Sequence, residues 1–267
     1  MREHMIVAWR SGLRSRSFHA IFILGMLVMG GAYLAAQFSG RQPATVALDV
    51  GISGVRFIIL LLTVFWCQEL IAREVERRTV FFALAYPTPR AHYIIGRYLG
   101  VLALAACAII VLGILLSVTA YFATKLYGQS SPVNLDFGLW LTLFYIWLDA
   151  AVVAAFAVFV ATFATTPLLP LALGFAFAVA ARSLGPALEF LRNKEDGDEE
   201  LSASLGPVVE NIRWLLPDLS RLDIRVAALY GKMPTTAELF FGSSMAIAYS
   251  VMLLVLAIWI FRKRQFA

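Results

Sequence analysis

A chain of 267 residues that is 61% hydrophobic and only 15% charged has too little polar surface for a water-soluble body of its size, because soluble domains run at roughly 45–50% apolar and about 25% charged. Its 20 Phe, 9 Tyr and 6 Trp exclude a low-complexity chain, and its two cysteines, Cys67 and Cys107, lie in apolar runs and give neither a disulfide framework nor a metal signature. A mean hydropathy of +0.80 and a net charge of +5 therefore describe an integral membrane protein, with no basic stripe interleaved with aromatics to suggest nucleic acid.

Residues 1–17 place Met5, Ile6, Trp9 and Leu13 near one helical face and Arg2, Arg10 and Arg14 largely on another, the pattern of an interfacial helix. Six apolar runs follow: Phe18–Phe38, Val50–Ile71, Tyr98–Thr124, Phe137–Ala164, Leu168–Phe190 and Phe240–Phe261. Each reaches the ~20 residues a membrane-crossing helix needs. The first is longer than the roughly 7–15 residues of a signal-peptide core and is expected to be retained. No alternating ~10-residue segments suggest a transmembrane β-barrel. The predicted fold is all-α: a single polytopic domain over 1–267, with six transmembrane helices.

Six spans put both termini on one side. With that side cytoplasmic, the inner segments carry Arg2, Arg10, Arg14 and Arg16, then Arg73, Arg77, Arg78, Arg90 and Arg97, and finally Arg262, Lys263 and Arg264. Only Glu3, Glu69, Glu74 and Glu76 oppose them, which is the positive-inside bias. Short outer loops are expected around Gly40–Asp49 and Lys125–Asp136, and Thr165, Thr166 and Pro167 form a tight cytoplasmic turn. The last outer segment, 191–238, opens with Glu195, Asp196, Asp198, Glu199 and Glu200 and continues into an amphipathic stretch, Val208–Leu216, that Pro217 and Asp218 punctuate. No internal repeat is visible, which argues against an inverted-repeat secondary transporter.

The segment between spans two and three is too charged for a bilayer and too patterned for a plain linker. Glu74 and Arg78 form a favourable i,i+4 acid-to-base pair, Val80, Phe81 and Leu84 an apolar face, and Pro87 and Pro89 a stop. This reads as a short amphipathic helix at the cytoplasmic surface. The order Glu74-x-Glu76-x-Arg78-Thr79, an apolar helix, Pro87-x-x-Arg90, then Gly96-Arg97-x-Leu99-Gly100 resembles the permease subunits of ABC-2 type transporters. It is similar to the small six-helix bacterial members, such as the permease of the nitrous-oxide-reductase maturation transporter. It departs from them at Arg77-Arg78-Thr79, where many members carry Gly before the Thr. The stretch from Leu216-Pro217-Asp218 to Asp223-Ile224-Arg225 is also familiar for these permeases.

The resemblance implies a transport subunit without its own motor, and the chain has no G-x-x-x-x-G-K-[ST] phosphate loop. It implies no cofactor in this chain, ATP and Mg on a separate cytoplasmic ATPase present in two copies, a second permease copy across a two-fold axis, and a bacterial inner-membrane location. It also implies that Glu74, Glu76, Arg77, Arg78 and Thr79 form a coupling helix seated on that ATPase, and that spans two and five line the pathway.

Three ionisable residues lie inside spans: Arg56, Asp149 and Arg182. Such residues usually face a partner or a wet cavity. Asp149 is expected roughly 18 Å below Phe137, near the midplane, and both arginines in the outer half. Two outcomes stand open: an ion pair of Asp149 with one arginine, or a cationic ring in the pathway that favours an anionic substrate group. Thr142, Tyr145 and Asp149 form one polar stripe, and Arg56 and Thr63 share a spacing on span two. His4, His19 and His92 show no metal-ligand spacing. An intramembrane enzyme would need a nucleophile–base pair or a metal motif, and neither Ser117 nor either cysteine has a His at its depth. A non-transporting scaffold or regulator of the same fold is the remaining alternative.

Overall fold

The computed structural model describes residues 2–14, 16–72, 74, 89–124, 135–164, 166, 168–193 and 216–263. Its elements are α1 (Arg2–Arg14), α2 (Arg16–Gln37), α3 (Pro43–Cys67) running into a π-turn (Gln68–Ala72), α4 (Arg90–Thr124), α5 (Phe137–Phe163), α6 (Leu168–Asn193), a 3-10 turn (Leu219–Leu222), α7 (Arg225–Tyr230) and α8 (Thr236–Lys263). No strand occurs among the described residues. Five helical segments are long and apolar enough to cross a membrane, the α3 segment through its π-turn, α4, α5, α6 over Leu168–Ala187, and α8, and α2 adds the shorter apolar stretch Ile23–Gln37. The chain is an all-α polytopic membrane protein.

The most enclosed helix is α5, which packs against α3, α4, α6 and α8. Its small residues allow this: Ala150, Ala151, Ala154, Ala155, Ala157 and Ala161 are all buried, so neighbouring backbones approach closely. Large apolar side chains instead stand outward on α2, α3, α4 and α8, among them Met26, Phe57, Ile114 and Trp259. Spread along every span rather than gathered in one patch, they suit a lipid-facing surface. The hydroxyls of Ser117, Thr142 and Ser250 each donate to the carbonyl four residues back in their own helix.

α1 packs along α4. Ala8 is fully buried there, and a Cβ on Gly100 would stand 2.5 Å from the Ala8 Cβ. Gly100 is thus small because α1 crosses it. The seam runs through Ala8 and Gly12, with Ile6 and Val7 left exposed, so the apolar face is rotated from the one its larger residues suggested.

Three boundaries differ from the sequence reading. The outer loop expected around Gly40–Asp49 is shorter, because Pro43 opens α3. Its fixed φ suits a first helical turn, and its missing N–H has no intrahelical partner there anyway. The third span begins at Arg90 rather than Tyr98, since Tyr93 and Ile94 are fully buried and carry the helix inward. Short helical turns lie at Leu219–Leu222 and Arg225–Tyr230, whereas nearly all of the stretch predicted at Val208–Leu216 falls outside the described residues.

Candidate functional site

One site is built on a capped turn between α6 and α7. Asp218 accepts from the Ser220 backbone N–H (3.2 Å) and hydroxyl (2.6 Å), and the Asp223 N–H closes the turn on the Ser220 carbonyl at 2.9 Å. Gly185 of α6 lies under this turn, where a Cβ would collide with the Ser220 and Asp218 side chains. The geometry delivers Asp223 to α3. Its carboxylate accepts from Arg56 Nη1 at 2.5 Å and Nη2 at 2.9 Å, a two-pronged pair. Arg225 donates to the same carboxylate from Nη2 (2.6 Å) and Nε (3.0 Å), and from Nη1 to Asp49 (3.1 Å) and the Ser53 hydroxyl (3.3 Å). Burial pushes the Asp223 carboxyl up, and the two guanidiniums more than reverse this, holding it well below the usual carboxylate range.

Asp149 on α5 pairs with Arg182 on α6. Of the two partners weighed for Asp149, the structure therefore selects Arg182, and Arg56 turns to Asp223 instead. Asp149 is 6% exposed and Arg182 30%, and the second oxygen of Asp149 has no hydrogen-bond partner among the described residues. The other two members of the stripe bond to neighbouring segments of the chain. Tyr145 bonds the Leu239 carbonyl (2.8 Å) and the Ser243 hydroxyl (2.9 Å) of α8, and Thr142 reaches the Ile224 carbonyl at 3.4 Å. Thr63 is fully buried, with no partner for its hydroxyl among the described residues. Arg56 and Arg182 flank one cleft between α3 and α6.

At the opposite end, Glu74 follows the π-turn and faces α4. Its carboxylate accepts from Arg97 Nη2 at 2.6 and 2.8 Å and from the Tyr93 hydroxyl at 2.8 Å. Arg97 is 5% exposed on its side chain and stands 5.5 Å over the Tyr93 ring. Tyr93 stacks on Phe261 at 5.8 Å, and Arg90 donates to the Phe261 and Arg262 carbonyls at 3.3 and 3.2 Å, closing the C-terminal end of α8. One post thus joins the ends of α3, α4 and α8. Three helix ends with these side chains, at the mouth of a charged segment between spans two and three, are the setting in which the loop motif was read.

The family described as ABC-2 family transporter protein matches residues 7–266. The chain belongs to the ABC-2 transporter family. An ABC-2 permease is a membrane subunit, and its ATPase activity resides in a partner subunit. No curated protein matches the chain.

Of this ABC-2 permease's expected coupling residues, Glu74 alone is described; Glu76, Arg77, Arg78 and Thr79 lie outside the described residues. Glu74 is engaged within its own chain, so its part in the segment includes anchoring. Among the described residues no cluster of His, Cys, Asp or Glu has the makings of a metal site. His19 is exposed and His92 half-buried, and the His4 side chain lies outside the described set. The residue that sequence reasoning missed is Asp223, read only as part of a familiar outer stretch. The available signal was the run Asp218, Arg221, Asp223 and Arg225 ahead of the last span, in a chain so short of charge.

Proposed function

We propose that this chain is the permease subunit of an ATP-driven ABC-2 exporter of the small six-helix bacterial type, similar to the permease of the nitrous-oxide-reductase maturation transporter. It resides in the bacterial inner membrane with both termini cytoplasmic, and α2 completes the six spans. Two copies pair about a two-fold axis, each above one of two cytoplasmic ATPase subunits that bind ATP and Mg. The segment carrying Glu74, Glu76, Arg77, Arg78 and Thr79 seats on the ATPase, and α3 and α6 border the pathway. The observation that carries this reading is the family match over 7–266.

The Glu74 post supports the coupling role. A push on the segment after the π-turn is received by Arg97 and Tyr93 of α4 through charge-assisted bonds, so motion at the ATPase surface passes to packed helices rather than being lost in a slack linker. The π-turn between α3 and Glu74 is the kind of helix irregularity often found at functional positions. The test is purification of the chain from native membranes in mild detergent. An ABC ATPase should come down with it in equal copy number; recovery of other membrane proteins without an ATPase would favour a scaffold.

A further inference from the structure

The cleft between α3 and α6 has a volume of about 360 Å³ and a graded wall. Its outer end is formed by Ser53, Arg56, Arg182, Ser183 and Arg225. From about 2 to about 10 Å deeper than the arginines, Phe57 and Leu60 on α3 face Phe175 and Val179 on α6. The two helices run in opposite directions, yet both are polar at the outer end and apolar below.

The charges are arranged asymmetrically. Three guanidiniums line the cleft and, among the described residues, no carboxylate does. The balancing acids stand behind the wall: Asp149 is 6% exposed and Asp223 23%, while Asp49 lies on the exposed rim. Arg182 gives one nitrogen, Nη2, to Asp149. Its Nε and Nη1 have no partner among the described residues, and the side chain is open to the cleft. Arg56 and Arg225 are fixed by Asp223, so the cationic surface is held in place before any ligand arrives. Phe57 and Val179 are 62% and 66% exposed, an apolar floor left uncovered among the described residues.

We propose that this cleft binds a membrane amphiphile with a phosphate-type anionic head, the head on Arg182 between Arg56 and Arg225 and the chain along Phe57, Leu60, Phe175 and Val179. The proposal deepens the permease reading and rests on it for the outward placement of the Ser53 and Ser183 ends. Charge complementarity selects the anion, and the apolar floor selects a tailed ligand over a free one. The same head chemistry could belong to a bilayer lipid or to a tailed cargo, and both meet the site alike.

The test is native mass spectrometry of the full chain in dodecyl maltoside, titrated with dodecyl phosphate and, separately, with dodecanol and inorganic phosphate. One dodecyl phosphate should bind saturably per chain, with each of the other two probes at least about tenfold weaker. Arg182→Gln should weaken dodecyl phosphate about tenfold or more, the loss expected when a charged donor is removed. Because that change also touches Asp149, Ser183→Glu serves as the second variant. Ser183 is exposed and bonds only the carbonyl of its own helix, so the fold should survive while a carboxylate on the wall repels the head.

Inorganic phosphate bound as tightly as dodecyl phosphate would overturn the tail, and dodecanol bound as tightly would overturn the head. Binding unchanged in both variants would overturn the location. Disulfide-linked dimers of Phe57→Cys that exclude dodecyl phosphate would assign the cleft to a second copy. Loss of binding in preparations that still assemble with their ATPase would sink this site alone, whereas binding without any ATPase partner would leave it standing and sink the permease reading.

Discussion

Arg182→Gln should cost more stability than Asp149→Asn, although both break the same ion pair. The difference follows from where each charge would be stranded. Asp149 is 6% exposed, and one of its oxygens already lacks a partner among the described residues. Without Arg182 it must stay charged in a dry site or take up a proton, and removing one member of a buried pair costs about 3–5 kcal/mol. Arg182 is 30% exposed along the cleft. Left alone by Asp149→Asn, it keeps partial solvation, so the ~2.5–3.5 kcal/mol given for a lone Arg at a helix centre falls to about 1–2 kcal/mol. The double variant carries no stranded charge and should recover at least about 2 kcal/mol of the summed losses. Unfolding free energies from reversible titration with a denaturing detergent, in a double-mutant cycle, read this coupling. The control cycle pairs Asp149→Asn with Arg56→Gln, where coupling should stay below about 0.5 kcal/mol because Arg56 is held by Asp223. Equal costs for the two single variants, or coupling to Arg56 instead of Arg182, would refute the reasoning.

Asp223→Asn should destabilise the chain by about 2–4 kcal/mol, because Arg56, 7% exposed, loses its only carboxylate among the described residues. The Asp223 carboxyl is held below its ordinary value, so its contribution is complete above about pH 4 and is lost as the pH falls further; thermal scans should show that acid-side loss in the parent chain and not in Asp223→Asn. Glu74→Ala should cost about 2–3 kcal/mol by stranding Arg97, while Arg77→Glu with Arg78→Glu should change unfolding by only about 0.5 kcal/mol and weaken association with the ATPase; stability measured beside co-purification separates the post from the contact. Cysteines at positions 78, 199 and 264, in a Cys67→Ala/Cys107→Ala background, test orientation: with the outer membrane permeabilised, an impermeant maleimide should label position 199 alone.

Hydropathy alone located the apolar helices, because a membrane span needs little more than length and an absence of charge. The intramembrane charges were legible for the same reason: Asp149 and Arg182 stand out in runs where an ionisable side chain is costly. Their pairing was readable only as one of two alternatives, since depth along a helix does not say which neighbour it faces. The Arg56–Asp223 pair left no such trace. Its members are 167 residues apart in the chain, and the charged run that holds Asp223 marks a polar segment without saying which arginine it meets. Helix ends were misplaced where polar residues are packed: Arg90 and His92 read as loop, yet Tyr93 and Ile94 bury the turn that holds them. Glu74 was readable as part of a charged motif, but its inward turn to Arg97 depends on how the π-turn ends α3, which no local pattern specifies.

The most direct measurement is ATP turnover by the co-purified ATPase, with and without this chain, in vesicles of native lipid composition. Assembly with the chain should change the ATPase turnover severalfold, and Arg77→Glu with Arg78→Glu should abolish that change while the chain remains folded and inserted. Turnover indifferent to the chain would contradict its role as the ATPase-coupled permease.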